Sequence, residues 1–119
     1  LCFASAGHPF TYLVDGKTRE LTSLETISYP LAVRKGLNLK TQTVRFKSGD
    51  YLVYYSDGIV EALNEDGDVF GFERMEEIIQ TADYDSAREL LEALITEVRI
   101  HIGTAEQFDD ITAVVVRIK

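Results

Sequence analysis

Cysteine is almost absent from this sequence. Cys2 is the single cysteine among 119 residues, which excludes an internal disulfide framework and any zinc site that needs several thiolates. The lack of disulfides favours a reducing compartment, and we therefore expect the protein to be cytoplasmic. The apolar neighbours of Cys2 predict an inert thiol in the core.

Basic residues are also scarce. There are 12 Lys and Arg residues against 20 Asp and Glu residues, a net charge of -8. No run of Lys or Arg could follow a phosphate backbone, so we expect no nucleic-acid partner. The surplus of carboxylates is compatible with cation binding, although a solvated acidic surface is the more common use of such charge.

Long hydrophobic runs are missing. The longest, such as Ile111–Val116, is far shorter than the ~20 residues of a membrane-spanning helix, so we expect no membrane insertion by this segment. No basic stretch precedes an apolar one at the start, as it would in a signal peptide. The sequence has no initiator Met and begins inside an apolar stretch, which predicts a piece of a longer protein.

What remains is the composition of an ordinary globular domain, and we treat residues 1–119 as part of one domain. Apolar runs between turn residues predict strands, which are Leu1–Ala6, Phe10–Val14, Thr18–Thr22, Leu37–Phe46, Tyr51–Tyr55 and Ile111–Ile118. Asp15-Gly16 predicts a hairpin between the second and third strands, and residues 47–50 predict another between the fourth and fifth. The first is expected to be buried, the fourth half-buried, and the last, a continuous β-branched run, central and buried on both faces.

Two helices are predicted between the fifth and last strands. Residues 73–81 form a short helix, and a longer one is capped by Asp85-Ser86 and runs to about Ile102, where Gly103 ends it. A helical turn is expected at Ile59–Leu63. Strands followed by helices and a final strand indicate an α+β fold with antiparallel sheet. Residues 23–36 are expected to form a surface connection in which Tyr29-Pro30-Leu31 packs locally.

Carboxylates stand at the ends of two predicted strands. Asp57 follows the run Tyr51–Tyr55, next to Gly58, which allows close approach to the backbone. Asp109 and Asp110 precede the last strand. If the two strands are antiparallel neighbours, these acids converge, and oxygen ligands of this kind suit magnesium-class ions. Ordinary polar turns would explain the same residues.

Other candidate sites are weaker. The acids of Asn64–Asp68 suggest a calcium loop, but the glycine is in the fourth place and no Glu occupies the twelfth, so a solvated turn is preferred. His101, near the predicted helix end, is expected to be a surface histidine. No Ser-His-acid or Cys-His arrangement can be assembled.

Several motifs occur together in a recognisable order along nearly the whole chain, which is more specific than any one of them: ASAGHP at 4–9, YPL at 29–31, GD at 49–50, YSDGIVEA at 55–62, FG at 70–71 and DDIT at 109–112. With this set the chain resembles the C-terminal half of the metal-dependent (PPM-type) protein serine/threonine phosphatases, in their SpoIIE-like bacterial branch. Ala32 departs from the glycine usual after the Pro-Leu pair.

The resemblance implies a β-sandwich flanked by helices, in which two manganese or magnesium ions hold the water that attacks phosphoserine. By position, Asp57 would bind one ion with Gly58 permitting its approach, and Asp109 would bind the other, with Asp110 as an outer or alternative ligand. His8 would have a structural role at a bend. The family's first aspartate-glycine motif has no counterpart here, so a partial domain with part of a two-metal site is expected.

The function implied is hydrolysis of phosphoserine or phosphothreonine on a regulatory protein of the anti-anti-sigma-factor type, within a parent protein that carries an upstream sensor or regulatory domain. The 119 residues alone are expected to be inactive. The first alternative is a non-catalytic regulatory or scaffold module of the same fold that binds a partner protein. A second is an acidic domain that binds cations weakly.

Overall fold

The computed structural model describes residues 1–26, 28–33, 35–36 and 38–119. Within these ranges the chain forms six strands and three helices. The strands are β1 (Cys2–Phe3), β2 (Thr11–Val14), β3 (Leu21–Leu24), β4 (Gln42–Thr43), β5 (Tyr51–Tyr55) and β6 (Ala113–Arg117). The helices are α1 (Asp57–Val60), α2 (Phe72–Thr81) and α3 (Ala87–Ile102).

Two antiparallel sheets organise the described part of the chain. The larger has the strand order β3-β2-β5-β6, and the smaller consists of β1 and β4. The helices follow β5 and precede β6 in the chain, so strand and helix do not alternate. The predicted α+β class with antiparallel sheets and flanking helices is confirmed.

The core lies on one face of the four-stranded sheet. Because side chains alternate along a strand, every second residue of β2 and β5 points to the same side. On one side they are fully buried against α2 and α3. The buried strand residues are Tyr12, Val14, Tyr51, Val53 and Tyr55, and the helix residues that cover them are Met75, Ile79, Leu90, Leu94 and Val98. This layer holds the exit of β5 rigidly.

Both long helices confirm their predicted bounds. Ser86 is the N-cap of α3: its hydroxyl accepts the Glu89 amide, and the Glu89 carboxylate accepts the Ser86 amide in return. Gly103 ends the helix at a φ of 57°, which a residue with a side chain rarely adopts. No helix in the described part of the chain has both the length and the apolar composition needed to cross a bilayer.

The last strand differs from its prediction. Among the strands that the structure describes, β6 pairs with β5 alone and is therefore an edge strand of the sheet. Ala113 and Val115 pack on the core, whereas Val114 and Val116 are 51% and 40% exposed. The prediction of a central strand buried on both faces is therefore wrong, because a β-branched run indicates strand propensity and does not by itself specify cover on two faces.

The predictions for β1 and β4 are also wrong. Only Cys2–Phe3 and Gln42–Thr43 form strands, and they pair with each other, so no hairpin joins β4 to β5. Leu37, at the start of the predicted fourth strand, lies outside the described residues. Cys2 is exposed and not a core residue. A ribbon of two short strands has little apolar surface to bury, which explains its exposure.

The β2–β3 hairpin is confirmed with a longer loop than expected. The return strand begins at Leu21 because the Asp15 carboxylate accepts the amides of Lys17 and Thr18, at 2.8 and 2.9 Å, and extends the turn. These two hydrogen bonds lower the pKa of Asp15. Asp50 joins the neighbouring turn to this loop, since its carboxylate accepts the amides of Gly16 and Lys47.

We expect Leu94→Ala to lower the free energy of unfolding by about 2–5 kcal/mol, because Leu94 is 0% exposed and its truncation leaves a cavity under the sheet. Urea unfolding followed by circular dichroism measures this loss. Ile100→Ala, on the exposed side of the same helix, is the matched control and should change stability by less than about 0.5 kcal/mol. Equal losses would contradict the packing described.

Candidate functional site

The site is organised by the pairing of β5 with β6. The strands are antiparallel, and Tyr55 at the end of β5 faces Ala113 at the start of β6. The ladder continues one residue further: the Ser56 amide donates to the Thr112 carbonyl at 2.9 Å, and the Thr112 amide donates to the Ser56 hydroxyl at 3.0 Å. The strand end that carries Asp57 therefore adjoins the strand entry that follows Asp109 and Asp110, as the sequence predicts.

Ser56 also fixes the acidic segment itself. Its hydroxyl donates to the Asp110 carbonyl at 2.8 Å while it accepts the Thr112 amide. One side chain thus holds both sides of Ile111. This contact has no signal in the sequence beyond the position of a serine before the Asp-Gly pair.

Gly58 is required at the junction for reasons of space. A Cβ on this residue would lie 2.4 Å from the Asp110 carbonyl oxygen and 3.4 Å from the Cβ of Asp109. The glycine therefore lets the 109–110 backbone lie directly against the first turn of α1. That turn is anchored by Ile59 and Val60, which are buried in the core.

Asp57 is the first residue of α1 and its side chain is exposed. The carboxylate accepts its neighbour's amide, that of Gly58, at 3.2 Å. The predicted helical turn thus begins two residues earlier than expected. The side chain lines an open cleft of about 440 Å³, whose other walls include His8, Phe10, Glu25 and Phe72.

Asp109 and Asp110 are also exposed. The Asp109 carboxylate accepts the Asp110 amide at 2.7 Å. Asp109 lines a second, smaller cavity of about 140 Å³ together with Gly58 and Glu61. The backbones of the two acidic segments therefore meet at Gly58, while the Asp57 and Asp109 side chains border different cavities.

Carboxylate oxygens are the donors that magnesium and manganese prefer, so the chemistry of this junction fits such an ion. The number of donors does not complete a site. Across the residues that the structure describes, no group of three or more His, Cys, Asp or Glu side chains is arranged to hold a metal. The junction therefore fits one part of a metal centre.

The cleft beside Asp57 is built from two loops that the sequence does not show to be neighbours. The Ser5 amide donates to the Thr26 hydroxyl at 2.7 Å. Gly7, at a φ of 81°, leaves room for the Pro30 ring, which would lie 2.5 Å from a Cβ there. The motif at 4–9 is thereby packed against the stretch 29–31, although Tyr29 and Leu31 themselves are exposed.

His8 lies on the rim of this cleft. It is exposed, and its Nδ1 is 2.8 Å from the Pro9 carbonyl oxygen, which indicates a donated N–H at Nδ1. That hydrogen bond is compatible with the structural role at the bend that the sequence predicts.

An aromatic layer forms the floor under the cleft. Phe10 stacks on Phe72 of α2 with centroids 5.3 Å apart, and Phe10 meets Tyr12 edge to face at 5.1 Å. The Tyr12 hydroxyl donates to Glu76 of α2 at 2.5 Å. Burial, together with the Glu76 carboxylate, raises the pKa of Tyr12 above its ordinary value and keeps the phenol protonated. Phe72 and Glu76 were not identified from the sequence, because Phe72 precedes the predicted helix at 73–81 and Glu76 is an ordinary polar position within it.

The other candidates from the sequence, the Asn64–Asp68 turn and His101, make hydrogen bonds within the protein. The Asn64 carboxamide oxygen accepts the amides of Asp66 and Asp68, at 3.0 and 2.8 Å, which closes a turn as predicted. His101 is half-buried; its Nε2 lies 3.0 Å from the Asp68 carbonyl and its Nδ1 lies 2.9 Å from an Arg74 nitrogen. It therefore ties α3 to α2 and to this turn.

Solved structures with the same fold are phosphatase domains of the PP2C type. The "SiaA-PP2C domain of Pseudomonas aeruginosa" superposes with a TM-score of 0.80 at 24% identity, over 99% of this chain and 46% of that one. The structure of "the PP2C Phosphatase Domain and a Fragment of the Regulatory Domain of the Cell Fate Determinant SpoIIE from Bacillus Subtilis" gives a TM-score of 0.78 at 22% identity, over 98% of this chain and 34% of that one. The fold is thus that of PP2C phosphatase domains.

The family model for Stage II sporulation protein E (SpoIIE) matches residues 1–119, and the chain belongs to this family. Protein IcfG of Synechocystis sp. is 25% identical over 116 residues, which are 98% of this chain and 18% of that protein. The chain therefore spans less than half of the length of these relatives.

We expect Gly58→Ala to lower the free energy of unfolding by about 1–3 kcal/mol, because the added methyl group must displace the Asp110 carbonyl. Displacing the 109–112 segment should weaken the hydrogen bond from the Thr112 amide to the Ser56 hydroxyl. Hydrogen exchange of the Thr112 amide should therefore accelerate. Glu61→Ala, at an exposed position just after α1, is the control and should leave Thr112 exchange unchanged. Unchanged exchange in Gly58→Ala would contradict the close approach.

Proposed function

We propose that this chain supplies part of the two-metal site of a phosphatase that hydrolyses phosphoserine or phosphothreonine on a regulatory protein of the anti-anti-sigma-factor type. The observation that supports the proposal is the meeting of Asp57 and the Asp109–Asp110 segment at Gly58, in a chain of the SpoIIE family. Two acidic segments on rigid strand ends are what a site for hard divalent cations requires.

In this proposal Asp57 binds one manganese or magnesium ion and Asp109 binds the other. Gly58 lets the two segments approach, and Asp110 stands beside Asp109 as an outer or alternative ligand. When bound, the ions supply Lewis acidity toward the phosphoryl group and a nucleophile at neutral pH. The protein's own contribution is position: Ser56 holds the 110–112 backbone, and the buried α1 residues fix the start of that helix.

The remaining ligands would come from other parts of the full-length protein. Two divalent ions close together need an anion between them to offset their repulsion, and two carboxylates at one junction do not provide a complete set. We therefore propose that the 119 residues alone are inactive. An upstream sensor or regulatory domain and a cytoplasmic location complete the proposal.

One observation favours a second candidate, a non-catalytic regulatory or scaffold module. It is the lack of a three-ligand cluster within the ranges given above for the structure. The presence of an aspartate-glycine pair at a strand end elsewhere in the full-length protein would favour the enzyme, and its absence would favour the module.

We expect Asp57→Asn in the full-length protein to lower manganese-dependent hydrolysis of p-nitrophenyl phosphate by at least about 100-fold. Loss of a metal ligand should exceed the ~10–100-fold cost of disturbing its outer partners. Steady-state kinetics with purified protein measures the change. Asp83→Asn, which removes an exposed carboxylate after α2, is the control and should retain activity.

Equal rates for the wild type and Asp57→Asn would refute the assignment of Asp57. Absence of activity in the wild type with manganese or magnesium, on this substrate and on phosphorylated protein substrates, would favour the non-catalytic module.

Asp109 and Asp110 should differ. We expect Asp109→Asn to raise the manganese concentration that gives half-maximal activity by at least about tenfold. Asp110→Asn should raise it less, because the Ser56 contact to Asp110 is made by the carbonyl oxygen and survives the substitution. Manganese titrations of both variants measure the difference. A larger effect at Asp110 would exchange the two assignments.

A further inference from the structure

The cleft beside Asp57 is larger than a phosphate group requires. Its volume of about 440 Å³ falls within the ~300–1,000 Å³ of ligand sites. Its floor contains the Phe10–Phe72 stack, and its rim is formed by the two loops that Ser5 and Thr26 tie together. Such a shape has room for the residues that flank a phosphorylated side chain.

The charge of this cleft is one-sided. Glu25 and Asp57 both line it, and the lining residues that the structure describes include no lysine or arginine. If Asp57 binds a metal ion, the ion neutralises the negative charge of the Asp57 carboxylate. Glu25 then remains as the free carboxylate of the cleft.

Glu25 is well placed to act on a ligand. It directly follows β3, between the buried Leu24 and Thr26, whose hydroxyl is held by the Ser5 amide. The Glu25 side chain is exposed and makes no hydrogen bond or ion pair with any residue in the described ranges.

We propose that this cleft holds the substrate residues that flank the phosphorylated residue. Glu25 then selects substrates that have an arginine or lysine among these flanking residues. The inference rests on the proposed function, since it takes the phosphoryl group to lie at Asp57. Charge complementarity supports this occupant: the described lining of the cleft includes no lysine or arginine, and the free carboxylate of Glu25 attracts a basic segment and repels an acidic one. The Phe10–Phe72 floor suits the methylene stem of a long basic side chain.

The test uses the full-length protein and two phosphoserine peptides, one with arginines on both sides of the phosphoserine and one with glutamates. The measured quantity is the ratio of kcat/KM for the arginine peptide to that for the glutamate peptide. Glu25→Gln should lower this ratio about threefold to fivefold, the effect of one exposed ion pair, and Glu25→Lys should lower it further. Glu20→Gln, an exposed position in the β2–β3 loop outside the cleft, should leave the ratio unchanged.

A second measurement does not depend on turnover. Binding of the unphosphorylated arginine peptide, followed by fluorescence anisotropy, should weaken in Glu25→Lys and stay unchanged in Glu20→Gln. An unchanged peptide ratio together with unchanged binding would overturn the inference. If the peptide ratio and binding are unchanged but Asp57→Asn still abolishes p-nitrophenyl phosphate hydrolysis, the inference about Glu25 fails and the proposed function stands. Failure of the inference is thus distinguishable from failure of the proposed function.

Discussion

The pairing of β5 with β6 is the constraint on which the candidate site depends. Asp57 and Asp109 are 52 residues apart in the sequence, and their segments meet because two antiparallel strands place the exit of one beside the entry of the other. Backbone hydrogen bonds along this ladder fix direction as well as distance. The burial of Tyr51, Val53 and Tyr55 under two helices then makes the strand end a rigid support.

The second constraint is that glycine, which has no side chain, occupies the positions where two segments cross. Gly58 admits the Asp110 carbonyl, and Gly7 admits the Pro30 ring. These two contacts explain why the motifs at 4–9 and 55–62 both contain glycine. Each motif packs its backbone against a distant segment, and a side chain at the glycine would block that approach. The candidate site and the neighbouring cleft therefore both depend on a glycine that lets a second segment pack against the backbone.

Much of this arrangement could be predicted from the sequence. The stripe Leu90, Leu94 and Val98 identifies α3, and the Asp85-Ser86 cap locates its start, because both patterns depend on neighbours in the chain. The convergence at Gly58 followed from assuming that β5 and β6 are neighbours. Predictions failed where partners are distant: nothing local shows that β4 pairs with β1, or that β6 lies at an edge. The same reason hid Phe72 and Glu76, whose roles arise only when α2 reaches β2.

The exposed valines of β6 have a practical consequence for work with these 119 residues in isolation. Val114 and Val116 lie on the uncovered face of a strand whose outer backbone groups have no partner strand in the described sheet. Apolar side chains beside an open ladder promote the addition of further chains. Handling conditions that suppress intermolecular strand pairing, such as low protein concentration, will therefore matter more for this segment than its acidic composition would suggest.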